Sequence, residues 1–162
     1  MTATRRASLL GLSGVPLALG ACATADAQSP TAQSPGLTPA QHAAWLERYK
    51  QAWETRDPAA AGALFTADAS YHEMPFDAPM HGRAAIEAYW ARVTAGQANV
   101  RFTYEIVATS GDQGVSQWHA TFNSAPDGAT IDLDGVFICR FADALTVNAL
   151  REWWHVRVTP AA

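Results

Sequence analysis

The chain has 162 residues, six of them tryptophan, and 49% of them are hydrophobic. This composition excludes a disordered chain and fits one folded domain with its own core. The formal net charge is −4 at pH 7, and no basic stripe is present, which argues against a nucleic-acid partner. No apolar run reaches the ~18 residues that a membrane-spanning helix requires.

Residues 1–27 have the pattern of an export signal: a basic start with two arginines, a short apolar stretch and then small residues. The two arginines leave twin-arginine and general export both open. Two processing sites are also open. Residues 19–22 resemble a bacterial lipoprotein box, which would place a lipid on Cys22, and residues 25–27 form an A-x-A site for ordinary signal peptidase. Either route predicts a periplasmic protein or a lipoprotein anchored to the membrane.

The remainder divides into a tether and one domain. Residues 28–37 are rich in Pro, Ser and Gln, which predicts a flexible tether. Residues 38–158 are predicted to be the folded domain. Within it, Thr38 is predicted to be the N-cap of a first helix, with a proline next and Gln41 completing a capping box. The apolar face of this helix, at helical spacing, is Trp45, Leu46, Tyr49, Ala52 and Trp53.

Two more helices and a strand are predicted before residue 97. A short second helix begins at Asp57-Pro58 and is expected to bury Ala61, Leu64 and Phe65. A strand follows over 68–75, ending at a proline. A third helix begins after Gly82. Its apolar side is Ile86, Tyr89, Trp90 and Val93.

The apolar period then changes from 3.6 to 2, which indicates strands. Alternation begins at Val100, and three further strands cover residues 115–122, 130–141 and 147–158, separated by Gly- and Pro-containing turns. The order is helix, helix, strand, helix and then a four-stranded meander. This predicts an α+β fold in which a cone-shaped, curved antiparallel sheet wraps around three N-terminal helices and leaves a cavity between them.

Residues 48–75, with an aromatic helix, a "D…ALF…DA" helix and a strand, are followed by "HGRAAIEAYW" at 81–90. Together they resemble the nuclear transport factor 2-like superfamily, in particular its SnoaL-like and ketosteroid isomerase-like members. The resemblance extends over residues 38–158 and implies a cystatin-like α+β roll. It does not identify a reaction, because this fold hosts many activities.

The resemblance to ketosteroid isomerases implies a site. Matched without gaps, Tyr49 falls at the position of their oxyanion-hole tyrosine and Glu73 at that of their general base, which together perform acid–base chemistry in an apolar cavity in those enzymes. Their second oxyanion donor, a protonated aspartic acid, falls on Phe137 here. Structural alternatives stay open: Glu73 could pair with Arg83 or with backbone at the strand end, and Tyr49 could be a core aromatic.

Strand parity extends this site. If Glu73 points inward, then Glu152 does too, as an auxiliary acid, a partner of a ligand hydroxyl, the acceptor for Tyr49, or simply the partner of an arginine. An aromatic cavity with a few polar groups is typical of a ligand site. The residues expected to contact a ligand are Tyr71, Trp90, Trp118, Phe137 and Trp154.

The opposite face of the sheet carries His72, His119 and His155 by the same parity. Their spacing matches no recognised metal motif, so no metal site is predicted, and the face is expected to form a homodimer interface through apolar residues such as Trp153. Cys139 is expected to be a small buried hydrophobe. No phosphate loop, serine elbow or CxxC motif occurs, so no cofactor is predicted.

The sequence thus predicts an exported domain that binds a small hydrophobic molecule bearing a carbonyl or hydroxyl group. It would catalyse cofactor-free acid–base chemistry such as isomerisation, dehydration or cyclisation. Two alternatives stay open, a non-catalytic ligand-binding domain and an accessory dimeric domain.

Overall fold

The computed structural model describes residues 36–162. The predicted export signal at 1–27, its Cys22, and residues 28–35 of the predicted tether lie outside the described residues. Within 36–162, no helix is long and apolar enough to cross a membrane.

Three helices and six strands follow one another in the predicted order, with one short strand added. The predicted capping box at Thr38 is present: its Oγ1 accepts from the Gln41 amide at 3.2 Å, and the Gln41 side chain accepts from the Thr38 amide at 2.9 Å. The elements are α1 (Pro39–Thr55), α2 (Pro58–Gly62), β1 (Phe65–His72), β2 (Met80–His81), α3 (Arg83–Ala95), β3 (Gln97–Ser110), β4 (Gln113–Ser124), β5 (Thr130–Phe141) and β6 (Val147–Thr159).

The strands form one curved, open sheet in the order β2-β1-β6-β5-β4-β3. The predicted α+β fold is therefore confirmed. Strands β3 to β6 form the predicted antiparallel meander. In contrast, β1 pairs with β6 in parallel, which connects the first strand of the chain to the last.

Two element boundaries differ from the prediction. Leu64 and Phe65, expected on the second helix, are buried but lie beyond the end of α2 at Gly62. Phe65 instead begins β1, because it pairs with Val147 of β6. The predicted strand 68–75 also ends earlier, at His72, where the chain turns away from the sheet. Glu73 therefore lies just beyond β1 rather than within it.

Aromatic side chains from α1 meet the inner face of the sheet. The ring of Tyr49 lies 5.2 Å from that of Trp90 and 5.0 Å from that of Phe137, both in T-shaped contacts. Trp118 stacks on Phe137 at 5.1 Å. These rings are almost completely buried. Offset and edge-to-face pairs of this kind stabilise a core beyond the area that they bury, so the packing fixes the space that they enclose.

Gly135 on β5 makes room for one of these rings. It pairs with Trp118 on one side and with Trp154 on the other. A Cβ atom at this position would lie 2.7 Å from the Trp118 indole and 2.6 Å from the Trp153 carbonyl oxygen. The backbone oxygen cannot move aside easily, so only glycine lets the indole lie flat against the sheet.

We expect Gly135→Ala to lower the free energy of unfolding by roughly 1–3 kcal/mol, because the added methyl overpacks the inner face of the sheet. Gly96→Ala is the matched control, since a Cβ there meets nothing within 4 Å; it should change stability by no more than about 0.5 kcal/mol. Urea unfolding of both variants measures the difference. Equal stability of the two would show that Trp118 does not depend on Gly135.

Candidate functional site

A cavity of about 270 Å³ lies between α1, α3 and the inner face of the sheet. Its walls are predominantly aromatic, and its polar groups, apart from the tryptophan N–H groups, are two glutamates, three tyrosine hydroxyls and one glutamine. The lining residues are Tyr49, Trp53, Tyr71, Glu73, Tyr89, Trp90, Val93, Gln97, Trp118, Phe122, Ile131, Leu133, Glu152, Trp154 and Val156.

The parallel pairing of β1 and β6 brings the two carboxylates together. His72 is level with Arg151 in this pairing. The next residue along each chain is therefore Glu73 on one side and Glu152 on the other, and both side chains reach the cavity. The charge of Glu73 raises the pKa of Glu152.

Glu152 is the buried carboxyl group of the site, with 5% of its surface exposed. Its Oε1 accepts a hydrogen bond of 2.7 Å from the hydroxyl of Tyr71. Burial raises its pKa from 4.5 to about 8; the Tyr71 hydrogen bond opposes this rise and the charge of Glu73 adds to it. No salt bridge of the described residues includes Glu152, so the expected pairing with an arginine is not found there.

A chain of hydroxyl groups connects Glu152 to the first helix. The hydroxyl of Tyr49 lies 3.3 Å from that of Tyr71. Because each phenol has a single hydrogen, Tyr71 donates to an ionised Glu152 and Tyr49 then donates to Tyr71. If Glu152 is protonated on Oε1, both hydrogen bonds can reverse their direction: Glu152 donates to Tyr71, and Tyr71 donates to Tyr49. The hydroxyl hydrogen of Tyr49 is then free to donate to another group. Burial, followed by the nearby Glu152 charge, raises the pKa of both tyrosines, so both stay neutral.

Glu73 lies at the mouth of the cavity and is half-buried. The alternative pairing with Arg83 does not occur, because both Nε and Nη2 of Arg83 donate to the Phe65 carbonyl oxygen, at 3.1 and 2.6 Å. Glu73 lies close to Tyr89 instead. Burial raises the pKa of Tyr89 strongly, and the charges of Glu152 and Glu73 raise it further.

The loop after Glu73 is tied back to the sheet. The Nε2 atom of His72 donates to the carbonyl oxygen of Asp77 at 2.8 Å. Phe76, within this loop, is 99% exposed. His72 therefore fixes the start of the loop that follows Glu73.

Most of the predicted site residues come together in the cavity: Tyr49, Tyr71, Glu73, Trp90, Trp118, Glu152 and Trp154 all line it. Phe137 does not. It is fully buried and packs between Tyr49 and Trp118, behind the cavity wall. Phe137 therefore supports residues that face a ligand rather than contacting one itself, which corrects its predicted role.

Eight further residues line the cavity that were not predicted to belong to the site, four of them on β4, β5 and β6: Phe122, Ile131, Leu133 and Val156. Tyr89 and Val93, predicted only to lie on the apolar side of the third helix, face the cavity beside Trp90. Trp53 and Gln97 line it as well, and the Trp53 indole donates to Gln97 Oε1 at 2.8 Å. The helical spacing of Tyr89, Trp90 and Val93 was the signal that could have identified this wall.

The outer face of the sheet carries a separate polar group. His119 Nε2 lies 3.8 Å from Asp132, which also pairs with Arg157 at 2.9 Å. Among residues 36–162, no cluster of three or more His, Cys, Asp or Glu side chains could hold a metal ion. Cys139 is buried, as expected, and burial raises the pKa of its thiol.

Tyr71→Phe is expected to raise the pKa of Glu152 above its value of about 8, because it removes the hydrogen bond that favours the ionised form. Carbon-13 NMR titration of the glutamate carboxyls measures this, with Glu152→Gln assigning the signal. Tyr104→Phe is the control, since its hydroxyl donates to Glu47 outside the cavity. An unchanged pKa in Tyr71→Phe would contradict the assigned contact.

The raised pKa of Glu152 also predicts that the stability of the fold depends on pH. The folded protein binds this proton more tightly than the unfolded chain, so its stabilising contribution is complete below pH 4.5 and is lost as the pH rises to about 8. The free energy of unfolding of the wild type, relative to Glu152→Gln, should therefore fall across this window. A difference that stays constant or rises with pH would contradict the raised pKa.

Comparison with known proteins places this geometry in a family. The family model described as a SnoaL-like domain matches residues 46–149. No curated protein matches the sequence.

Solved structures share the fold at low identity. A protein of Catenulispora acidiphila with a ketosteroid isomerase-like fold, in complex with trimethylamine, is 22% identical over 67% of this chain and 83% of that chain, with a TM-score of 0.59. The Delta 5-3-ketosteroid isomerase of a Mycobacterium species is 20% identical over 74% and 98%, with a TM-score of 0.62. The epoxide hydrolase/cyclase-like enzyme SalBIII is 15% identical over 75% and 97%, with a TM-score of 0.64.

At these identities the structures establish the fold alone. The family match covers more than half of the chain and includes both the helix that carries Tyr49 and the strand that leads to Glu73. The chain belongs to the SnoaL-like domain family, with the nuclear transport factor 2-like, ketosteroid isomerase-like fold.

Proposed function

We propose that this domain binds a small, predominantly apolar molecule with a carbonyl or hydroxyl group and catalyses cofactor-free proton transfer on it. One observation carries the proposal: a buried carboxyl group with its pKa raised to about 8 lies in an aromatic cavity beside a second carboxylate. A proton carrier of this kind can act as an acid near neutral pH.

Glu152 would be the electrophilic group. At neutral pH its carboxyl is mainly protonated. One of its oxygens accepts from Tyr71, which leaves the other for a ligand. It pairs across β5 and β6 with Phe137, the position at which the resemblance placed a protonated aspartic acid. Glu152, on the strand next to Phe137, would thus donate a hydrogen bond to the carbonyl oxygen of the ligand as negative charge develops on that oxygen.

Glu73 would be the base. In an isomerisation, its carboxylate takes the proton from the carbon next to the carbonyl. The electron pair left behind forms a dienolate, whose oxygen accepts a hydrogen bond from Glu152. The same proton then returns to the far carbon of the new double-bond system, which restores Glu73. Every proton and electron pair is accounted for without a cofactor. The position of Glu73 supports this role, because its half-buried carboxylate lines the same cavity as Glu152.

The related structures include an isomerase and a cyclase-like enzyme, which is consistent with acid–base chemistry on this fold. A non-catalytic binding domain is the second candidate. The observation in its favour is that the Tyr49 hydroxyl contacts Tyr71, which donates to Glu152, so in this arrangement the hydrogen of Tyr49 is already used and is not free for a carbonyl oxygen.

Export and dimerisation belong to the same proposal. The N-terminal pattern supports export, with either lipidation at Cys22 or cleavage after residue 27. The exposed Val136 and the half-buried Trp153, which pair across β5 and β6 on the opposite face from the cavity, support a homodimer through the outer face of the sheet.

The small β,γ-unsaturated ketone 3-cyclohexenone tests the reaction. We expect the wild type to convert it to the conjugated isomer, followed by ultraviolet absorbance, and Glu73→Gln to lower kcat/KM by about 100-fold or more. Glu152→Gln should cause a smaller loss, since its amide still donates a hydrogen bond. Glu105→Gln, an exposed glutamate on β3, is the control and should have no effect.

The outcomes separate the candidates. A wild type that binds the ketone without converting it would overturn the catalytic proposal in favour of a binding domain. Equal rates in the wild type and Glu73→Gln would show that Glu73 is not the base.

A further inference from the structure

The charged groups of the cavity are all acidic. Among the described residues that line it, Glu73 and Glu152 are carboxyl groups and none is a lysine, arginine or histidine. The three salt bridges within residues 36–162 include neither glutamate. No side chain of the described cavity wall therefore supplies positive charge to balance these groups.

The arginines closest to these elements have other contacts. Arg83 donates to the Phe65 carbonyl oxygen. Arg92 is exposed and lies over the Tyr89 ring, 5.7 Å from its centroid, without lining the cavity. Arg151 stacks on Trp153, 4.9 Å from the ring. A compensating charge at Glu73 would have to come with the ligand.

The two carboxyl groups lie in different surroundings. Glu152 is deep, with 5% of its surface exposed, whereas Glu73 is half-buried at the mouth. The titratable groups that face Glu152 are Tyr49 from α1, Tyr71 from β1, Tyr89 from α3, Cys139 from β5 and Glu73. None of these groups is basic. The deep end of the cavity, around Glu152, favours a neutral hydrogen-bonding group, and only the outer end, around Glu73, favours a cation.

Aromatic rings line the same cavity as Glu73. The cavity wall includes the rings of Tyr89, Trp90 and Trp154 as well as the Glu73 carboxylate. The faces of Trp and Tyr attract a cationic nitrogen, most strongly where water is excluded. A carboxylate with several aromatic faces matches an ammonium group better than it matches a neutral or anionic one.

We infer that the natural ligand carries a tertiary or quaternary ammonium group, held beside Glu73 among the aromatic rings, with its neutral carbonyl or hydroxyl group directed toward Glu152. This inference rests on the proposed function, because it uses the same cavity and the same reacting end of the ligand. It adds the substrate class: small apolar amines that also bear an oxygen function.

A matched pair of ketones tests the charge alone. Phenacyltrimethylammonium and neopentyl phenyl ketone share the same phenyl ketone and the same three methyl groups, and they differ by a cationic nitrogen in place of a carbon. Isothermal titration calorimetry of the full chain at low ionic strength should show about tenfold tighter binding of the ammonium compound. The preference should decrease with added salt.

Two variants test whether Glu73 is the group that attracts the ammonium charge. Glu73→Gln should reduce the preference to about one while leaving the affinity of the neutral ketone within about twofold, because an uncharged ligand gains no charge attraction from Glu73. The control Glu105→Gln should retain the full preference. A preference that survives in Glu73→Gln would overturn the assignment of the ammonium group to Glu73.

The remaining outcomes separate this inference from the proposed function. If the two ketones bind the wild type equally, the ammonium inference is wrong and the proposed function stands. If neither compound binds, the cavity is not a site for small ketones, and both the ammonium inference and the proposed function are wrong.

Discussion

The parallel contact between β1 and β6 is the constraint on which the site depends. It makes His72 level with Arg151, so the next residues, Glu73 and Glu152, both face one cavity. Two carboxyl groups in an apolar enclosure cannot both ionise easily, and the deeper one retains its proton to a pH of about 8. The first and last strands of the domain thus place two residues of the same type in different surroundings.

Aromatic packing makes this arrangement stable. The ring of Tyr49 contacts the rings of both Trp90 and Phe137. Gly135 lets Trp118 lie against the sheet. The walls therefore keep water away from Glu152 while the half-buried Glu73 remains near solvent. The two carboxyl groups therefore differ in their exposure to solvent, which is the basis of the different roles proposed for them.

Much of this could be predicted from the sequence. Helical and strand periods indicated every major element, and alternation along β6 placed Glu152 and Trp154 on the inner face. The hydrogen bond from Tyr71 to Glu152 could not be predicted, because it depends on a parallel pairing between strands that lie far apart in the chain. Strand parity placed Phe137 inward correctly but could not show that Tyr49 and Trp118 would lie between it and the cavity.

The central claim is that Glu152 is a neutral carboxylic acid at neutral pH and contacts the ligand. Infrared difference spectroscopy of the wild type against Glu152→Gln tests it most directly, because a protonated carboxyl group and a carboxylate absorb at different frequencies. We expect the carbonyl band of a protonated acid at neutral pH, which shifts when neopentyl phenyl ketone binds. A carboxylate signal alone, or an acid band that does not respond to the ketone, would contradict the account.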